Sequence, residues 1–203
     1  MAETTLLEPI IVLGAVALYG AIHSLTASPS FKRLAARIMG DWYERAYRLI
    51  YNLTGGLTLL PILYLLARFP GSTLYAIPTP WLFASLAGQI VAVIVLLGGV
   101  TQTNVWHFLG LAQLNGHTRE DSTALVVTGL YRYVRHPLYT AGLLFIWLTP
   151  VMTTSTLAFN LALSAYIYIG SLFEEQRLIH EYGDDYRRYQ SRVPRLIPNP
   201  FSQ

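Results

Sequence analysis

Apolar stretches of about membrane-span length constrain this chain more than any other feature. A helix needs about 20 residues to cross a hydrocarbon core of about 30 Å. Three stretches meet that length: Leu6 to Leu25, Leu49 to Ala67, and Trp81 to Val100. They predict three membrane-spanning helices.

The composition agrees with a membrane protein. Of the 203 residues, 53% are hydrophobic and only 12% are charged, whereas soluble domains carry about 25% charged residues. This balance excludes a disordered chain, a coiled coil and a nucleic-acid-binding basic domain. The chain has no cysteine, which excludes a disulfide framework, a thiolate metal site and a cysteine nucleophile.

A fourth apolar region, residues 138–173, is interrupted by Pro150 and by the polar run 153–155. The interruption leaves a short arm, Leu138 to Thr149, and a longer arm, Thr156 to Phe173. The short arm covers only about 18 Å as a helix, so we expect the two arms to form a tight helical hairpin. The prediction is an all-α integral membrane protein with about five transmembrane helices, the last two being this hairpin.

We expect a single membrane domain over residues 1–203. Residues 1–100 would form a three-helix part, and residues 101–203 the hairpin and a helical tail. No basic segment precedes Leu6, so we expect no cleavable signal.

The distribution of Lys and Arg predicts the orientation. Five lie in the first loop, three in the third loop and five in the tail, against Arg68 alone in the second loop. Because cytoplasmic loops hold the basic excess, five crossings place the amino terminus outside and the carboxyl terminus in the cytosol. We expect a multi-pass protein of the inner or plasma membrane.

A polar segment, residues 129–139, leads directly into the short arm. Pro137 suits the first turn of a helix, so Arg135 and His136 would lie at its amino end, beside unpaired N–H groups. Such a place suits an anion such as a carboxylate. Alternatively, the two residues anchor the helix at the lipid headgroups.

Two adjacent carboxylates, Glu174 and Glu175, stand where the last apolar run ends. Acidic groups at membrane depth are costly and indicate a functional site. The hairpin should bring one of them near His136 and Tyr139. The opposite charges could simply pair, or they could together bind a zwitterionic ligand; we favour the ligand.

Helical spacing continues beyond the carboxylates through Leu178, Tyr182, Tyr186 and Tyr189. Gly183 suits a C-cap and Asp184 the N-cap of a short final helix that ends before Pro194. Such a face is typical of packing, but an aromatic wall near a carboxylate can also hold a cation.

These motifs together resemble one family. They are Gly-x-Tyr-x-x-Val-Arg-His-Pro-x-Tyr at 129–139, the Glu174–Glu175 pair, the tyrosine series around Gly183, and Val-Pro-Arg at 193–195. Their order resembles the membrane family of isoprenylcysteine carboxyl methyltransferases and phospholipid methyltransferases. The stretch 145–153 is most similar to its bacterial methanethiol S-methyltransferase branch. The stretch 21–28 is similar to that branch and also to the related nitrite/nitric-oxide accessory and ζ-carotene isomerase proteins.

The resemblance implies S-adenosylmethionine bound on the cytosolic side and a methyl acceptor that is a small thiol or a lipophilic molecule. It implies a set of cofactor-binding residues: Tyr131, Arg135, His136, Tyr139, Glu174, Glu175, Tyr182 and Tyr186. It implies three catalytic residues: His136, Glu174 and Arg195. Among these, His136 would act as the base if a thiol must lose its proton, and Arg195 could reach a substrate acid. We expect no metal site.

Two other functions remain open. His23 within the first helix and His107 after the third could ligate one haem iron in an isomerase or accessory protein. Against this, His23 could hydrogen-bond a neighbouring helix, and His107 could lie at the interface. Alternatively, the chain is a non-catalytic membrane scaffold whose polar clusters are interface anchors, which predicts no nucleotide binding.

Overall fold

The computed structural model describes residues 2–102, 105–116 and 125–198, and the side chains of all of these except residues 2–5. Arg119, counted above among the basic residues of the third loop, lies outside this part. Most of the described chain is helical. Its elements, in order, are α1 (Ala2–Ala27), α2 (Pro29–Met39), α3 (Trp42–Arg68), β1 (Thr73–Ala76), α4 (Trp81–Gln102), α5 (Val105–Leu109), α6 (Leu111–Leu114), a 3-10 turn (Gly129–Arg132), α7 (Pro137–Trp147), β2 (Val151–Thr153), α8 (Thr154–Tyr182) and α9 (Asp184–Arg192).

Each of the five apolar segments predicted from the sequence is helical. Four described helices are long and apolar enough to cross a membrane: Leu6–Ala27, Trp42–Arg68, Trp81–Gln102 and Thr154–Tyr182. Their large apolar side chains are widely exposed, as expected where lipid replaces water. The chain is therefore a multi-pass membrane protein. The short arm is α7, whose 11 residues extend about 16 Å.

The predicted interruption of the last apolar region coincides with β2, which pairs with β1 in a two-stranded sheet. The final helix was also predicted correctly, with one difference. Gly183 takes a φ of +57° and occupies the cap position of α9, so Asp184 is its first residue and not its N-cap. A positive φ is free of strain only for glycine.

The described chain divides into two compact units. One comprises residues 2–75, 105–116 and 152–162, and in it α1 packs along α3 while α2, α5 and α6 also pack on α3. The hydroxyl of Tyr47 donates to the carbonyl of Thr26, and Asn52 donates to the carbonyl of Phe108 at 2.8 Å. The segment between α1 and α3, expected as a loop, contains the helix α2.

The other unit comprises residues 76–102, 125–151 and 163–198, and in it α7 packs along α4. Gly88 permits this approach, because a Cβ there would lie 2.5 Å from a methyl group of Leu148. Gly99 also permits the approach, because a Cβ there would lie 2.8 Å from a methyl group of Leu138. At one end of the helix pair, the Ser85 hydroxyl donates to the carbonyl of Leu148.

The turn that precedes α7 is held on the last residue of α4. The backbone N–H of Leu130 donates to Gln102 Oε1 at 2.9 Å. Gly129 has a φ of +62° and lies so close to the same amide that a Cβ would clash with it. This contact positions residues 129–136 for the site described next.

Candidate active site

The amino end of α7 is fixed by the carboxyl-terminal tail. The backbone N–H groups of Arg135 and His136 donate to the carbonyls of Pro194 and Arg195 at 2.9 and 3.1 Å. One turn into α7, the Thr140 hydroxyl donates to the carbonyl of Leu196 at 2.7 Å. The tail therefore lies along the start of α7 as a paired backbone segment.

Glu175 is the centre of the polar cluster on α8 and is only 2% exposed. Its Oε1 accepts from Arg135 Nε at 2.7 Å and lies 2.7 Å from Arg135 Nη2. Its Oε2 accepts from Arg195 Nη2 at 2.7 Å and from Gln190 Nε2 at 2.8 Å. A buried carboxylate is tolerable only with such compensation. Through these partners, Glu175 holds α7, α8, α9 and the tail together.

The guanidinium of Arg135 is also fully engaged. Beyond Glu175, its Nη1 donates to the carbonyl of Gln190 at 3.0 Å and to that of Val193. Its side chain is 8% exposed. A planar five-donor group is the one side chain able to bridge a carboxylate and two carbonyls in this way.

The imidazole of His136 lies between the two carboxylates. Its Nε2 is 3.2 Å from Glu175 Oε1, and its Nδ1 is 3.5 Å from Glu174 Oε2. The ring stacks on Tyr139, with centroids 5.3 Å apart, and the Tyr139 hydroxyl donates to Glu174 Oε2 at 2.8 Å. The predicted proximity of His136 and Tyr139 to the glutamates is confirmed.

The two glutamates differ in exposure and in number of partners. The Glu174 side chain is 33% exposed, against 3% for Glu175. Consecutive helical residues point about 100° apart, so only one of the pair can face the Arg135 side of the cluster. Glu174 therefore remains the accessible carboxylate.

Two buried polar atoms of this cluster make no hydrogen bond within the described residues. They are the hydroxyl of Tyr186, a residue 1% exposed, and Nε of Arg195. The guanidinium of Arg195 also lies over the ring of Tyr168, 5.5 Å from its centroid. A buried polar atom without a partner costs free energy, which is typical of a place where a ligand binds.

Two further tyrosines from the sequence prediction lie in the same unit. Burial and the nearby carboxylate of Glu174 raise the pKa of Tyr131, and its carbonyl accepts from the Tyr189 hydroxyl at 2.5 Å. Tyr182 is the last residue of α8, about 10 Å along the helix from Glu175.

Sequence reasoning missed Gln190, Thr140 and Tyr168. Gln190 lies four residues after Tyr186 on α9, so the helical spacing that selected the tyrosines could also have selected it. The other two carry no such signal, because their partners are a tail carbonyl and the guanidinium of Arg195.

The environment of Tyr186 predicts a loss of stability at alkaline pH. Burial, followed by the negative charge of Glu175, raises the pKa of Tyr186 from 10 to about 12. Below pH 10 the hydroxyl is neutral in both the folded and the unfolded chain, and as the pH rises from 10 toward 12 the folded state loses stability, because ionisation of the buried hydroxyl favours the unfolded chain. We expect the unfolding temperature in detergent to fall over this range, and to fall less in Tyr186→Phe. An identical alkaline profile for the two proteins would contradict this interpretation.

The histidines of the haem hypothesis have protein partners. Nε2 of His23 lies 2.6 Å from the Tyr51 hydroxyl on α3, which is the hydrogen bond to a neighbouring helix considered above. His107 is 5% exposed, and its Nδ1 lies 3.2 Å from Gln113 Nε2. Within the described residues, no three His, Asp or Glu side chains are grouped to hold a metal ion.

Comparison with known proteins identifies the class. The family model for phospholipid methyltransferases matches residues 87–185. Methanethiol S-methyltransferase 2 of Bradyrhizobium diazoefficiens is 34% identical over the whole chain and 78% of that protein. Methanethiol S-methyltransferase of Crocosphaera subtropica is 29% identical over 97% of the chain and 77% of that protein.

A more distant relative matches only part of the chain. Protein-S-isoprenylcysteine O-methyltransferase of Schizosaccharomyces pombe is 36% identical over 39% of the chain and 35% of that protein. No solved structure matches. The chain belongs to this family of membrane methyltransferases, and its activity accordingly requires a methyl donor.

Proposed function

We propose that the chain transfers a methyl group from S-adenosylmethionine, bound at the Glu175 cluster, to a small thiol. The observation that carries this proposal is the pair of buried polar atoms without a hydrogen-bond partner, Tyr186 Oη and Arg195 Nε, beside the carboxylate of Glu174, which is one third exposed. A donor with a carboxylate, an ammonium, a sulfonium and ribose hydroxyls offers partners for all three groups.

The charges fit that donor. Nε of Arg195 can donate to the methionine carboxylate, and the hydroxyl of Tyr186 can donate to or accept from a ribose or amino-acid group. Glu174 supplies the accessible negative charge for the cationic end, and the rings of Tyr131, Tyr139 and Tyr182 supply aromatic faces for it. S-adenosylmethionine provides an electrophilic methyl carbon for in-line displacement.

Within this proposal, Arg135 and Glu175 act chiefly by position. Their polar atoms are engaged with each other, with Gln190 and with tail carbonyls. They therefore hold Arg195 and the tail in place, which is the positioning that displacement at a methyl carbon requires. The catalytic groups proper are His136, Glu174 and Arg195.

A thiol acceptor has to lose its proton before or during transfer. We propose that His136 holds this proton. The Nδ1 of His136 lies 3.5 Å from Glu174 Oε2 and its Nε2 lies 3.2 Å from Glu175 Oε1, so each ring nitrogen has a carboxylate within reach for a proton in transit. Because Glu174 is the more exposed partner, the proton leaves toward solvent on its side.

The choice of a thiol acceptor rests on the relatives. Those named methanethiol S-methyltransferase match nearly the whole chain, whereas the isoprenylcysteine enzyme matches about two fifths of it. We therefore propose methanethiol or a thiol of similar size, ahead of a prenylated cysteine or a lipid.

The acceptor test is a competition assay with the purified protein in nanodiscs. Labelled S-adenosylmethionine is supplied with methanethiol, a longer alkyl thiol, or an S-prenylated cysteine analogue, and volatile and organic-extractable products are counted. The proposal expects label in the volatile sulfide, with a higher kcat/KM for methanethiol than for the prenylated compound. Transfer to the prenylated compound alone would reject the thiol assignment while leaving the donor assignment intact.

We also propose that α7 completes a fifth crossing. It runs antiparallel to α4, because Leu138 lies against Gly99 while Leu148 lies against Gly88, so together with its flanking residues it follows most of the α4 span. Five crossings with the basic excess inside leave the amino terminus outside and place the site on the cytosolic side of the inner or plasma membrane.

Tyr186→Phe separates binding from folding. We expect the variant to be at least as stable as the wild type, because the deleted hydroxyl has no partner to lose within the described chain, and we expect S-adenosylmethionine to bind about tenfold more weakly. The matched control is Tyr189→Phe, whose hydroxyl donates to the carbonyl of Tyr131. It should lose about 1 kcal/mol of stability and keep its affinity. Calorimetric titration and thermal unfolding measure both, and equal affinity of Tyr186→Phe and wild type would remove Tyr186 from the pocket.

A further inference from the structure

The helix α2 has an apolar edge that the described part of the chain leaves uncovered. Leu34 and Ile38 are four residues apart, so they lie on one side of the helix, and they are 50% and 76% exposed. Trp42, the first residue of α3, is 64% exposed. The buried Ala35 lies about 60° around the helix from Ile38, so the described residues cover α2 only on the side next to this edge.

A basic edge lies directly beside the apolar one. Arg33 and Arg37 each precede one of the two exposed apolar residues and are themselves exposed. A step of one residue turns the helix by about 100°, so the basic edge and the apolar edge are neighbours on the outer surface of α2. The helix also contains Lys32 and has no acidic residue.

The ends of α2 fix its level relative to the membrane. It begins immediately after the first span, where Ser28 Oγ accepts from the N–H of Phe31 and donates to the carbonyl of Leu25. Two residues separate its end from the start of α3, and it packs against both α1 and α3. A helix tied to the ends of two spans lies at the membrane surface.

We propose that α2 lies in the membrane interface and binds anionic phospholipids. Leu34 and Ile38 would enter the acyl region while Arg33 and Arg37 bind phosphate groups, the arrangement typical of an interfacial amphipathic helix. Charge complementarity favours an anionic lipid over a zwitterionic one, because every charged residue of α2 is basic. The inference does not depend on the methyl-transfer proposal.

The depth of α2 can be measured without background labelling, because the chain has no cysteine. A nitroxide is attached at Leu34→Cys, Ile38→Cys or Arg188→Cys in the full-length protein, reconstituted in phosphatidylcholine–phosphatidylglycerol vesicles. Arg188 is 66% exposed on the polar helix α9 and serves as the water-exposed control. Collisions with oxygen should exceed those with a polar nickel chelate at 34 and 38, and the order should reverse at 188.

The lipid preference is measured next to the same helix. A fluorophore at Ile38→Cys is quenched by spin-labelled phosphatidylglycerol or by spin-labelled phosphatidylcholine, each as a minor component. We expect several-fold stronger quenching by phosphatidylglycerol in the wild type, and a ratio close to one when both arginines are removed in Arg33→Gln/Arg37→Gln. Arg187→Gln/Arg188→Gln removes equal charge from α9 and should leave the ratio unchanged.

Three results would overturn the proposal. If labels at positions 34 and 38 showed the same ratio of oxygen to nickel-chelate collisions as the label at position 188, α2 would lie in water. Labels shielded from both collision reagents would mean that protein covers the edge. Equal quenching by the two lipids in the wild type would remove the anionic preference.

Discussion

Glu175→Gln should unfold at a markedly lower temperature than the wild type and should show no measurable S-adenosylmethionine binding. The substitution removes the charge that compensates Arg135, which is 8% exposed, and Arg195, which is 23% exposed. Leaving a buried ion without its partner costs about 3–5 kcal/mol. Thermal unfolding in detergent and calorimetric titration measure the two effects.

The neighbouring Glu174→Gln is the matched control, since it makes the same chemical change one residue away. Glu174 has two described partners, Tyr139 and His136, and is one third exposed. The stability of Glu174→Gln should therefore fall by less than about 1 kcal/mol. Its affinity for S-adenosylmethionine should fall tenfold or more, because the variant lacks the carboxylate charge proposed to face the sulfonium. Equal stability losses in the two variants would contradict the different roles assigned to the glutamates.

Arg135→Lys should release the carboxyl-terminal tail although it keeps the positive charge. Arginine makes two contacts with Glu175 and donates to the carbonyls of Gln190 and Val193. Lysine offers only one point charge in its place, so the change is not conservative. We expect a loss of about 3 kcal/mol and faster amide hydrogen exchange over residues 190–196. Unfolding and hydrogen-exchange mass spectrometry are the measurements.

Arg132→Lys, an exposed position in the same basic segment, is the control for Arg135→Lys and should change neither quantity. The account would be wrong if Arg135→Lys retained wild-type stability and tail protection. If the tail were released and S-adenosylmethionine still bound with wild-type affinity, the tail and Arg195 would have no part in the pocket.

The long helices could be predicted from the sequence because the bilayer sets their length. All five apolar segments are helical, and the break at Pro150 and Thr153 falls where the polar run indicated. The meeting of His136 and Tyr139 with the glutamates was also predictable, since a hairpin returns the chain to its starting level.

The finer arrangement was not predictable, for identifiable reasons. Adjacent helical residues face different directions, so which glutamate is buried depends on how α7, α9 and the tail pack around α8. The pairing of Pro194 and Arg195 with the backbone of residues 135–136 uses main-chain groups, which every residue has. The helix α2 escaped prediction because its 11 residues are too few and too basic to resemble a membrane span.

The most direct test of the central claim is calorimetric titration of S-adenosylmethionine into the folded, detergent-purified protein, with S-adenosylhomocysteine as the second ligand. The account predicts micromolar binding of both, weakened in Tyr186→Phe and absent in Glu175→Gln. A folded wild-type sample that binds neither compound would contradict the assignment of the Glu175 cluster as the methyl-donor site.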